Sequence, residues 1–140
     1  MKRLILLLIM AAVLVSCGKK EVKQVSLESK TSQEAFALAE TVRAAFVNKD
    51  LAALKNNSTE EGYKNITATK KAFDTADLAF TPRWVEIEGS QVLLNVTWKS
   101  VWASAGRSVS DRGMAVFVME GRPLKLSKIL RANPFLYPEQ

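Results

Sequence analysis

Chemistry in a protein needs groups that ionise, hold a metal or attack, and this chain is short of them. Its 140 residues contain no histidine and a single cysteine, Cys17. Without imidazole the chain lacks the commonest metal ligand and the usual general base near neutral pH. One thiol makes no internal disulfide and cannot by itself build a zinc or iron–sulfur site. No metal and no cofactor is therefore expected. The remaining acid–base candidates are carboxylates and Tyr63. Asp50 stands where it would cap a helix, Asp74 and Asp77 at a helix-to-strand junction, and Asp111 beside a loop. No catalytic residue is assigned among them. The large aromatics point to binding instead. Trp98 and Trp102 are four apart in a strand pattern, so they project on one face, and Trp84 precedes the turn that feeds that strand. With Phe46, Tyr63 and Phe80 they either line an apolar pocket or fill the core.

Cys17 has a more specific setting. Lys2 and Arg3 are followed by an unbroken apolar run, Leu4–Val15, and then Ser16 and Cys17. Positive charge followed by a short apolar run is the order of a secretory signal peptide. The run is too short for a membrane span, which needs about 20 residues. Leu14-Val15-Ser16-Cys17 fits the pattern Leu-x-small-Cys. On these residues the N-terminus resembles a bacterial lipoprotein precursor. The resemblance implies cleavage before Cys17, a diacylglyceryl thioether on its sulfur and an acylated new N-terminus. It also implies a cell-envelope location: the periplasmic face of the outer or inner membrane, or the cell surface. Two or more acyl chains give stable anchoring, at ~0.8 kcal/mol per buried methylene.

Three segments are expected: a signal peptide at 1–16, a lipid anchor and flexible tether at 17–31, and one α+β domain at 32–140. Lys2 and Arg3 leave with the signal, which takes the formal charge from +6 to +4. That modest excess favours anionic surfaces without identifying one. Nucleic acid is not an expected partner of an exported chain. Lys19, Lys20, Lys23 and Lys30 keep the tether solvated, or add attraction to anionic headgroups, tempered by Glu21 and Glu28.

The elements of the domain follow from period. Thr31-Ser32-Gln33-Glu34 reads as a capping box that opens a helix at about 32–48. Ala35, Leu38, Ala39, Val42, Ala45 and Phe46 form its apolar stripe. Asp50 caps a short helix at 51–56, with Leu51 and Leu54 toward the core. Ser58-Thr59-Glu60-Glu61 opens a third helical piece bearing Tyr63, Ile66 and Phe73. From Leu78 the period becomes two. Leu78 and Phe80 alternate, Pro82 interrupts, and Val85 and Ile87 resume in the opposite phase, which predicts a bulge at a sheet edge. Gly89-Ser90 is a turn. Residues 91–104 form the longest strand pattern, with Val92, Leu94, Val96, Trp98 and Trp102 on one face. Trp102, nearer the strand end, is expected to be the more exposed tryptophan of the pair. Ala103–Ser110 reads as a loop, Met114–Met119 as a central strand, and Leu124–Leu130 as the last strand. Phe135-Leu136-Tyr137 folds back as an apolar tail. A strand of 14 residues would run about 45 Å, so the sheet must bend. N-terminal helices packed on a curved antiparallel sheet make an α+β domain.

This order of elements resembles the nuclear-transport-factor-2-like superfamily, a cone-shaped, cystatin-like α+β fold. The residues that carry the likeness are Ala35–Phe46, Asn48-Lys49-Asp50-Leu51 with Leu54, Ser58–Tyr63, the long strands around Trp98 and Val116, and Pro123–Leu130. It spans about residues 32–137. It implies a pocket between the long helix and the concave sheet, occupied in different members by isomerase, dehydratase or binding functions. The expected reading is a non-catalytic binding or scaffolding domain displayed from the envelope, with a small hydrophobic ligand or an envelope protein as partner. The alternatives are an isomerase- or dehydratase-like enzyme acting on a small hydrophobic substrate in the cone, and an assembly subunit that forms a homodimer through its sheet. Arg107, Arg112, Arg122, Lys125, Lys128 and Arg131 make the C-terminal half basic, either as a solvated face or toward an anionic partner.

Overall fold

Ser26 opens the first helix. Its hydroxyl accepts the Ser29 amide at 3.1 Å, and Glu28 lies in the first turn, where the helix dipole favours an acid. The structure, a computed structural model, describes residues 26–139. The expected signal peptide at 1–16, Cys17 and most of the expected tether lie outside the described residues. Helix α1 spans Leu27–Val47. It starts five residues before the expected start at 32, and Thr31 sits inside it rather than capping it. The extra turn carries no apolar stripe (Leu27 is 68% exposed), so periodicity could not reveal it. The stripe itself is as expected: Ala35, Leu38, Ala39, Val42, Ala45 and Phe46 are all buried.

Two backbone bonds close the helix. The Lys49 amide donates to Phe46 O at 3.0 Å and the Asp50 amide to Ala45 O at 2.8 Å. This is a Schellman ending, whose left-handed position usually carries glycine. Here Lys49 occupies it, with φ 55°. Asp50 then caps α2 (Leu51–Asn56) by accepting the Ala53 amide at 3.0 Å. Leu54 is buried, but Leu51 is 58% exposed, contrary to the expected inward pair. In so short a helix α1 covers one side only. Helix α3 spans Glu60–Ile66, and Thr59, not Ser58, is its cap. Ser58 instead donates its hydroxyl to Leu54 O and pairs with Leu126. Phe73 lies beyond α3, in the irregular stretch that leads to the sheet. Gly62 is required where α3 meets the last strand, because a Cβ there would stand 2.0 Å from Leu126 O.

The sheet contains β1 (Thr75–Glu88), β2 (Gln91–Ser104), β3 (Arg107–Glu120) and β4 (Lys125–Arg131). They pair antiparallel in the order β1-β2-β3-β4. The phase change read around Pro82 is a register shift between Pro82 and Trp84, on an edge strand. Arg43 of α1 guards that edge by donating to Leu78 O at 3.1 Å. Its guanidinium pKa is raised by the hydrogen bond to Glu40, so it stays charged.

The loop expected at Ala103–Ser110 is a two-residue turn. Ala105 and Gly106 both take positive φ, 49° and 75°, as a tight hairpin with the strand twist requires. Residues 107–112 are too polar to show an apolar alternation, which hid the strand. The inner face of β2 carries Val92, Leu94, Val96, Trp98 and Trp102, all buried, as read from the sequence. The tail returns beneath the sheet. The Asn133 side chain donates to Asn65 O and accepts the Phe135 amide, while Asn65 accepts the Ile129 amide. Among the described residues no helix is long and apolar enough to cross a membrane.

Candidate functional site

The six aromatics singled out from the sequence separate into two groups. Phe46, Trp98 and Trp102 are buried in the core, and Phe80 and Tyr63, partly buried, pack against it. Trp84 does not join them. The bulge at Pro82/Trp84 turns its side chain to the opposite face, where it is 46% exposed and donates its indole N–H to Glu86 at 3.1 Å. Trp84 is therefore no part of an interior pocket.

The interior is occupied by the chain's own rings. Phe135 is fully buried, with centroids 4.9 Å from Phe46, 5.8 Å from Phe80 and 6.3 Å from Phe117. Trp102 is covered by Phe73 at 4.8 Å, Tyr137 at 5.5 Å and Phe46 at 5.8 Å. It is 0% exposed against 4% for Trp98, so the expected order of exposure is reversed. The physical reason is the tight turn: β2 runs on past Trp102, and the tail and Phe73 close over it. Trp98 donates its indole N–H to Ala132 O at 3.0 Å and packs on Gly113, where a Cβ would come within 2.7 Å of the ring. The Trp102 indole N–H and the Ser100 hydroxyl are buried without partners among the described residues.

The carboxylates have structural roles or face solvent. Asp50 caps α2, Asp74 accepts the Ala105 amide at 3.0 Å, and Asp111 accepts the Arg112 amide at 2.8 Å. Asp77 is exposed on β1. Among the described residues no cluster of three His, Cys, Asp or Glu side chains could hold a metal ion.

Among the described residues no helix packs on the other face of the sheet, and large apolar side chains are exposed there. The pairing register aligns Trp84, Asn95, Val116 and Leu130 in one cross-strand row. The next row is Glu86, Leu93, Val118 and Lys128, and Met114 lies on the other flank. Val116 and Val118 are shielded by their neighbours, whereas Trp84, Met114 and Leu130 are 46%, 40% and 38% exposed. Scattered exposed apolar residues are ordinary; three large ones around a continuous row are a patch. Acids mark the β1 side of this face (Glu86, Glu88) and lysines the β4 side (Lys125, Lys128). Lys128 Nζ also lies 3.8 Å from Glu61 on α3. The sequence offers a sheet-mediated homodimer as an alternative but does not name the residues of this face, because they alternate with the core set in both long strands. Only the bulge, which was legible, shows that Trp84 belongs to it.

No family model matches this sequence, and no curated protein matches it. Among solved structures it is similar to a nuclear transport factor 2 (NTF2-like) superfamily protein from Salmonella enterica subsp. enterica serovar Typhimurium str. LT2. The TM-score is 0.64 at 14% identity, over 76% of this chain and 93% of that one. The likeness shows the fold: helices followed by a curved four-stranded antiparallel sheet of the NTF2-like kind.

Proposed function

We propose that this chain is a lipid-anchored protein of the bacterial cell envelope whose domain works by binding, through the outer face of its sheet, rather than by catalysis. One observation carries the reading: the cone is closed by Phe135 while Trp84, Met114 and Leu130 are left exposed on the opposite face. An interior filled by its own side chains favours a surface as the working part. The Leu14–Cys17 sequence supports the anchor. Cys17→Ser is expected to release the protein from the membrane and to leave the precursor uncleaved by the lipoprotein peptidase. Metabolic labelling with a radioactive fatty acid should mark the wild type and not the variant; equal labelling would sink the anchor.

A specific pattern favours one occupant of the face, a second copy of the chain. A twofold axis that runs along the strands, between two facing sheets, lays β1 of one copy over β4 of the other at the same height. Glu86 then meets Lys128, and Trp84 meets Leu130, because each pair shares a cross-strand row. Trp84→Arg is expected to convert a dimer to a monomer in light scattering. Pairing Glu86→Lys with Lys128→Glu should restore what either change weakens. A wild type that is monomeric at high micromolar concentration would assign the face to a different partner.

A further inference from the structure

Away from the sheet face, on the outside of the filled cone, lies a groove of ≈ 470 Å³, between the end of α1, helix α2 and the segment 67–73. Its floor is apolar: Phe46, Leu51, Leu54 and Phe73. Leu51, the leucine that fails to enter the core, is exposed here. Its rim is basic: Lys49, Lys70 and Lys71. None of the three has a carboxylate partner among the described residues. The acids next to them in sequence are engaged elsewhere, Asp50 on the Ala53 amide and Asp74 on the Ala105 amide.

Lys49 is the telling member. It occupies the left-handed position of the Schellman ending, with φ 55°, where glycine is the unstrained choice. From there its ammonium donates to Phe73 O at 3.1 Å and stands 4.9 Å over the Phe73 ring. A strained residue that delivers a charge to the lip of an apolar groove is a reason to look for an anionic occupant. Lys71 also borders the groove, exposed, with its ammonium 4.3 Å over the ring of Tyr137 beside it. We infer that this groove binds a single-chain amphiphile with an anionic head, the alkyl chain along Leu51, Leu54 and Phe73 and the head among Lys49, Lys70 and Lys71. A fatty acid has that chemistry; a zwitterionic phosphocholine head does not. The site is distinct from the sheet face, and either assignment can fail without the other.

The test uses residues 17–140 with Cys17→Ser, which retain every described residue and cannot be acylated. Dodecanoate, dodecyl phosphocholine and dodecyltrimethylammonium are titrated below their micelle concentrations while backbone amides are followed by NMR. Dodecanoate should give saturable shifts confined to residues 46–54 and 67–73. The cationic analogue should bind about tenfold more weakly, since three rim lysines each contribute modestly. If phosphocholine matches dodecanoate, the head alone decides little and the anionic assignment is overturned. Lys49→Gly suits the local backbone, so it should keep the melting temperature and weaken dodecanoate several-fold. Leu51→Ser, at an exposed position, should weaken all three ligands together. Equal affinity for the anionic and cationic chains, shifts centred on Trp84 and Leu130, or no saturation at all would each overturn the proposal.

Discussion

Phe135→Ala is expected to lower the unfolding free energy by about 3–5 kcal/mol, the range for large aromatic truncations in a packed core. The ring touches Phe46, Phe80 and Phe117, which come from α1, β1 and β3, so it ties the helix to the concave sheet. Removing it leaves a cavity lined by those three rings. A dry apolar cavity of that kind takes up benzene or xenon. Chemical denaturation measures the first effect. Recovery of stability on adding benzene measures the second, because a ligand that binds only the folded form raises stability by mass action. Little destabilisation would mean that the tail does not close the cone.

Trp102→Ala should cost a similar amount, about 3–5 kcal/mol. Its ring is enclosed by Phe46, Phe73 and Tyr137, and its exposure is 0%. Trp102→Phe should be far milder. It keeps an aromatic ring and removes an indole N–H that has no acceptor, and a buried unpaired donor costs free energy that its removal returns. Denaturant midpoints of the two variants give the comparison. At concentrations where the chain is monomeric, iodide should quench Trp84 strongly and Trp102 hardly at all, given exposures of 46% and 0% in the single chain. A larger loss in the Phe variant than in the Ala variant would contradict the packing described.

Much of this domain can be read from its sequence because period and burial coincide. The α1 stripe Ala35–Phe46, the inner row Val92–Trp102 and the phase change at Pro82 each appear as alternation, and each is found in the structure. Features that do not alternate were hidden. The first turn of α1 is solvated, so Ser26 could not outcompete the stronger-looking signal at Thr31. The start of β3 carries one apolar residue, Val109, too few to show alternation, so Ala103–Ser110 reads as loop although Arg107–Ser110 pairs residue by residue with β2. Closure of the cone depends on contacts between Phe135 and Phe46, which lie far apart in the chain, and no local pattern carries them. The tail was legible as apolar, but its partners were not. The Lys49 position shows the limit most clearly, because the helix ending puts a lysine where the backbone asks for glycine.

The central claim is that the outer sheet face is the working surface of an anchored protein. It is tested most directly by photo-crosslinking from single positions of the full-length chain in intact cells. A benzophenone amino acid at Trp84, Met114 or Leu130 reports on the outer face, and one at Thr41 or Lys55 reports on the helical side. The account predicts discrete adducts from the three sheet positions, at twice the protomer mass if the partner is a second copy, and none from the two helical positions. Adducts from the helical side with none from the sheet would contradict it.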